Sequence, residues 1–82
     1  MEKKEQIKKI LKKYSEQEIL ERYKSNILAY NSLTKEAIVK SCDDKRYHID
    51  LKKKELVREL NLDCVKTLAT GWLLMELNEM DN

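Results

Sequence analysis

The chain has 82 residues, 39% of them charged and 41% hydrophobic, with a net charge of +2. The hydrophobic share argues against a disordered chain, and the net charge is too small to imply nucleic acid by itself. No run approaches 18 apolar residues, so no membrane span is expected, and charges recurring from the first residues are unlike a signal peptide.

Almost nothing in the chain resists helix. There is no proline and only one glycine, Gly71. β-turn chemistry is nearly absent on that count. A single all-α domain over residues 1–82 is therefore expected: a compact bundle of four helices with short loops, or five if the second breaks.

The first helix runs from Glu2 to about Lys13, with Ile7, Ile10, Leu11 and Tyr14 at i, i+3, i+4, i+7 along one face. Residues 1–13 hold six lysines and two glutamates; residues 76–82 hold Glu76, Glu79 and Asp81. A basic start thus faces an acidic end.

The next boundary is a capping box, Ser15-Glu16-Gln17-Glu18, with Tyr14 and Ile19 as the hydrophobic staple. The second helix is expected from Glu16 to about Ser41. Leu20, Tyr23, Ile27, Tyr30, Thr34, Ala37 and Ser41 follow a 3-4 seam. Asn31-Ser32 is the place where this helix would break, because both residues favour caps and turns. The seam ends in small residues, and Trp72 is expected to fill the space they leave.

Asp43 to Asp50 reads as the main loop, with Arg46-Tyr47-His48-Ile49 briefly extended. The third helix is expected over Leu51 to Leu60, capped by Asp50, with Leu56, Val57 and Leu60 facing inward. Asn61 serves as its left-handed C-cap and Asp63 as the N-cap of a fourth helix, Cys64 to about Glu79.

Helices three and four have the outline of a helix-turn-helix. The expected recognition stretch offers Asp63, Cys64, Lys66, Thr67 and Thr70, with no Arg, Gln or Asn to read a base edge. An ordinary helical hairpin fits better. Two lysine clusters remain for phosphate contact: Lys8, Lys9, Lys12 and Lys13, and Lys52, Lys53 and Lys54. The first helix lacks the Trp or Phe of a membrane anchor, and no membrane partner is expected.

Cys42, Cys64 and His48 are the only Cys or His residues. A structural zinc site normally takes four such ligands, so no metal is expected. No glycine-rich phosphate loop or G-x-S-x-G elbow occurs. No cofactor, small-molecule substrate or catalytic residue is assigned, and the chain reads as a non-enzyme. Two free thiols suit the cytoplasm.

The informative stretch is Thr67 to Leu77, T-L-A-T-G-W-L-L-M-E-L. Val65, Leu68, Ala69, Trp72 and Met75 share one helical side, the expected core face. Thr67, Thr70, Leu74 and Leu77 form a second stripe without charge. That stripe is either the middle of the bundle or a surface for another protein or a second copy. Gly71, costly in a helix interior, suggests a tight helix crossing. The expected function is a small regulatory or adaptor protein acting by protein–protein binding through Thr67, Thr70, Leu74 and Leu77. The alternative is a nucleic-acid-binding regulator using the lysine clusters and the helix-turn-helix-like hairpin.

Overall fold

The structure, a computed structural model, describes residues 3–80. Its elements run α1 (Lys3–Lys13), α2 (Glu16–Tyr23), a 3-10 turn (Lys24–Asn26), β1 (Ile27–Asn31), β2 (Glu36–Lys40), β3 (Arg46–Asp50), β4 (Glu55–Leu60) and α3 (Leu62–Met80). The four strands form one antiparallel sheet in the order β1-β2-β3-β4. The fold is α+β, which overturns the expected all-α bundle. Glu2 and Asp81, assigned above to the basic start and the acidic end, lie outside the described residues.

The first part of the sequence reading survives locally. Ser15 caps α2, and its side chain and that of Glu18 exchange the reciprocal bonds of a capping box. The long second helix does not exist. It stops at Tyr23, and the residues expected to continue it form β1, a turn and β2. The third expected helix is a turn followed by β4. Only Arg46-Tyr47-His48-Ile49, read as briefly extended, falls in a strand as expected.

Side-chain chemistry replaces glycine in the hairpins. Asn31 Oδ1 accepts from the Leu33 and Thr34 amides, and Lys35 closes the turn with a left-handed φ of 62°. Asp50 Oδ1 accepts from the Lys53 amide, and Lys54 closes that turn at φ 58°. Between β2 and β3, Ser41 and Asp43 bond each other, Asp43 accepts from the Lys45 amide, and Asp44 sits at φ 64°. Asx turns of this kind hold a tight backbone without glycine or proline.

The sheet is covered on both faces. On one, α1 and α2 bring Ile7, Leu11 and Ile19 onto Ala37, Val39, Tyr47, Ile49 and Leu51. On the other, α3 brings Trp72 onto Ile38 and Leu60. Burial on both sides explains why the centres of β2 and β3 are buried without alternation, with His48 the polar residue among them.

Trp72 does pack on the segment expected to need filling, but against Ile38 of a strand. Gly71 is a second correction. A Cβ placed there would meet nothing within 4 Å, so no helix of the described residues crosses it. Asn61 is a third. It begins a helix, its Oδ1 accepting from the Cys64 amide, and Asp63 lies inside the first turn of α3. With residues 55–60 in a strand, the helix-turn-helix outline is also withdrawn.

Candidate protein-binding site

One helix cannot cover four strands. Outer strands of such a sheet stand about 14 Å apart, and a helix with its side chains is about 10–12 Å wide. α3 also lies obliquely. It starts one residue after Leu60, at one end of β4, and by Met75 it has reached Asn31 at the opposite end of β1, where the Asn31 amide meets the Met75 sulfur at 3.6 Å. Trp72 is the only buried residue of the helix.

Each edge strand of the sheet holds an exposed aliphatic residue at a β-bulge. The β1–β2 register slips between Ile27 and Ala29, which isolates Leu28. The β3–β4 register slips between His48 and Ile49, opposite Arg58 and Leu56, which isolates Val57. Leu28 is 43% exposed and Val57 47%. Bulges also blunt both edge strands against pairing with another sheet.

Among the described residues, every large hydrophobic residue that is exposed lies on β1, the β1–β2 turn, β4 or α3. α1 and α2 contribute none. On α3 these are Leu62, Leu73, Leu74, Met75, Leu77 and Met80. Residues 67–75 carry no charge at all in a chain that is 39% charged. The predicted stripe is exposed throughout: Thr67, Thr70, Leu74 and Leu77 all face outward, with Leu74 at 57% and Leu77 at 47%. Its burial in a bundle, one of the two readings of the sequence, is thereby removed.

Beside the helix runs a groove of about 490 Å³. Cys64, Thr67, Gly71 and Met75 line it on the helix side, Arg58 and Asn61 on the strand side. Sequence reasoning assigned neither the groove nor Leu28, and it set Val57 inward on the expected third helix, where the structure leaves it exposed at a bulge of β4; the groove and both bulges depend on the sheet.

Beneath α3 a polar pair is enclosed. His48 Nε2 lies 2.6 Å from Glu36 Oε1, and the imidazole meets the Trp72 ring edge-on at 5.6 Å between centroids. These cross-strand neighbours of β2 and β3 give Trp72 a fixed seat. On the opposite face, burial pushes the Tyr47 hydroxyl up to about 12, with the nearby Asp43 charge adding to it. Asp43 itself is held below the usual carboxylate range, chiefly by the Ser41 hydroxyl. These groups serve the β2–β3 turn.

The lysine clusters lie on the other layer. Lys8, Lys9, Lys12, Lys13, Lys52 and Lys53 are exposed, and Lys54 is half-buried. The Lys54 ammonium donates to the Tyr14 carbonyl at 2.6 Å, which brings the β3–β4 turn to the end of α1 and joins the two clusters at one corner. Lys8 pairs with Glu5, and Lys13 stands over the Tyr14 ring.

Among the described residues no group of three His, Cys, Asp or Glu stands close enough to hold a metal ion, and no helix is long and apolar enough to cross a membrane. Both cysteines are free, Cys42 exposed and Cys64 half-buried at the groove. No family model, curated protein or solved structure matches this chain.

Proposed function

We propose that this chain is a small cytoplasmic regulatory or adaptor protein, without catalysis, that works by binding another protein through the outer face of α3. The observation carrying this is the asymmetry of the surface. Among the described residues, α1 and α2 contribute no exposed large hydrophobic residue, while six of the nine that are exposed lie on α3. An apolar stripe of this size, rimmed by polar residues, marks interaction surfaces on small proteins. Two unpaired thiols support the cytoplasmic setting.

The test places a photo-crosslinking residue at Leu74 or Leu77, and in a control at Lys9 on the opposite layer. In the cell of origin, discrete adducts are expected from positions 74 and 77 and not from position 9. Absence of adducts at 74 and 77, or the same adducts at all three, refutes the reading.

A second reading rests on the Lys54–Tyr14 contact, which unites the two lysine clusters. That corner suits a phosphate backbone by charge alone, without base recognition. Anisotropy titrations with a short DNA duplex would show binding that weakens with salt and is lost in Lys52→Gln/Lys53→Gln. No binding at low salt ends this reading.

A further inference from the structure

We infer that a second site, on the α1/α2 layer, binds the oxyanion group of a small molecule, a phosphate ester or a carboxylate, held by Arg22 and Tyr23. It goes beyond the protein-binding reading and stands or falls apart from it.

A hollow of about 230 Å³ lies where α1, the end of α2 and the end of β2 meet. Ile7 and Ile10 of α1 give it an aliphatic wall. Arg22, Tyr23 and Asn26 line it from α2 and the 3-10 turn, and Cys42 stands at its rim just after β2. Sites for drug-sized ligands run to about 300–1,000 Å³, so this one suits a molecule of a few carbons.

Arg22 is the reason to expect an anion. Its guanidinium stands 4.6 Å from the centre of the Tyr14 ring. Among the described residues that guanidinium makes no hydrogen bond and no ion pair, although Glu18 and Glu21 share its helix. The contact with the ring occupies the face of the guanidinium. Its N–H edge stays free, a planar fork for two oxygens of a phosphate or carboxylate. The Lys13 ammonium stands 5.5 Å from the same ring and adds to the positive potential there.

Neutral donors complete the set. Tyr23 is half-buried, and its hydroxyl has no hydrogen-bond partner among the described residues. Burial pushes that hydroxyl above its ordinary value, with the Arg22 charge opposing and the Cys42 thiol adding to the rise, as expected of three groups around one hollow. Tyr23 therefore keeps its proton and can donate it in a hydrogen bond to an anion. The Asn26 side chain is also unpartnered among the described residues. No carboxylate lines the hollow. Asp43 and Asp44, next in the chain, are engaged with Ser41 and Lys40. The α3 groove differs, because there Asp63 opposes Arg58.

The experiment titrates the full chain with inorganic phosphate, and separately with acetate, at constant ionic strength, followed by two-dimensional amide NMR. Saturable shifts are expected at Arg22, Tyr23, Asn26 and Cys42, and the anion that binds more tightly tells phosphate from carboxylate. Arg22→Gln should weaken binding about tenfold or more, and Tyr23→Phe about two- to tenfold. Circular dichroism should not change, since Arg22 is exposed and Tyr23→Phe keeps the ring that packs on the core. In a Cys64→Ser background the bound anion should slow alkylation of Cys42 by iodoacetamide, and should not do so in Arg22→Gln. No saturable shift with either anion, equal shifts at Lys9, Lys12, Lys52 and Lys53, or undiminished binding by Arg22→Gln overturns the proposal. None of these outcomes bears on the crosslinks at positions 74 and 77, so the two readings fail separately.

Discussion

Trp72→Ala should release α3 while leaving the rest of the fold in place. The sheet separates two cores of unequal size. Eight buried residues pack on the α1/α2 face, against three on the α3 face, of which only Trp72 belongs to the helix. Truncating a buried Trp or Phe to alanine costs about 3–5 kcal/mol. The other anchors, Val65 and Leu68, are half-buried and contribute about 1 kcal/mol each. A free helix of this length is marginal in water, so little holds α3 once the indole is gone. A chain of this size has a total stability of only about 4–12 kcal/mol. Loss from the smaller core should therefore appear first as local opening.

Native-state hydrogen exchange measures this directly. Amides of residues 66–78 should lose about a hundredfold to several-thousandfold in protection on Trp72→Ala. Those of Val39 and Tyr47, in the central strands, should change far less. Leu11→Ala, in the larger core, should lower protection in every element together. Equal loss in α3 and in the central strands of Trp72→Ala would show one cooperative core, and the two-core reasoning would fail.

Gly71→Ala should stabilise the fold by about 0.5–1 kcal/mol in urea unfolding, because the new methyl meets nothing within 4 Å. Tyr47 ionises at about 12 when folded and near 10 when unfolded, so the folded chain holds the proton more tightly. The stability it contributes is intact below pH 10 and falls by about 2–3 kcal/mol as pH rises toward 12. Urea midpoints of Tyr47→Phe measured from pH 9 to 12 should show a shallower decline than the parent, and identical slopes would refute this cause. Ser15→Ala and Asn61→Ala each remove a side-chain acceptor at a helix start, and each should cost about 1 kcal/mol by the same unfolding assay.

The parts of the fold legible in the sequence are those set by neighbours in the chain. The Ser15–Glu18 box and the inward face of α1 follow from local spacing, and the structure places Ile7, Leu11 and Trp72 in its cores; of the expected inward face of α3 only Trp72 is buried, and Met75 is exposed. The middle of the chain misled for a physical reason. Tyr23, Ile27, Tyr30 and Ala37 fit a helical seam, but Tyr30 and Ala37 are cross-strand partners in a hairpin. The contrary signal was present in two places. Ile38-Val39 and Tyr47-His48-Ile49 are β-favouring clusters. The turns also repeat one pattern, Asn31-x-x-x-Lys35-Glu36 and Asp50-x-x-x-Lys54-Glu55, an acceptor side chain opening each turn and a left-handed lysine closing it. Scarcity of glycine and proline concealed these turns, because Asn and Asp can supply the turn's hydrogen bond and lysine can tolerate the left-handed residue at modest cost.

The candidate site was legible as chemistry and illegible as exposure. Two uncharged faces on one helix require two things to cover them, and sequence alone does not say whether both belong to the same chain. In a bundle the second cover would be another helix of this chain. In this fold residues 16–60, from which the expected second and third helices were drawn, supply α2 and the four strands, and the sheet needs only the Trp72 side of α3. The chain has thus spent its remaining apolar elements on the other face of the sheet, where α1 and α2 are already buried. Thr67, Thr70, Leu74 and Leu77 keep their uncharged character with no helix of the described residues above them, and this is the face that the proposed protein-binding reading uses.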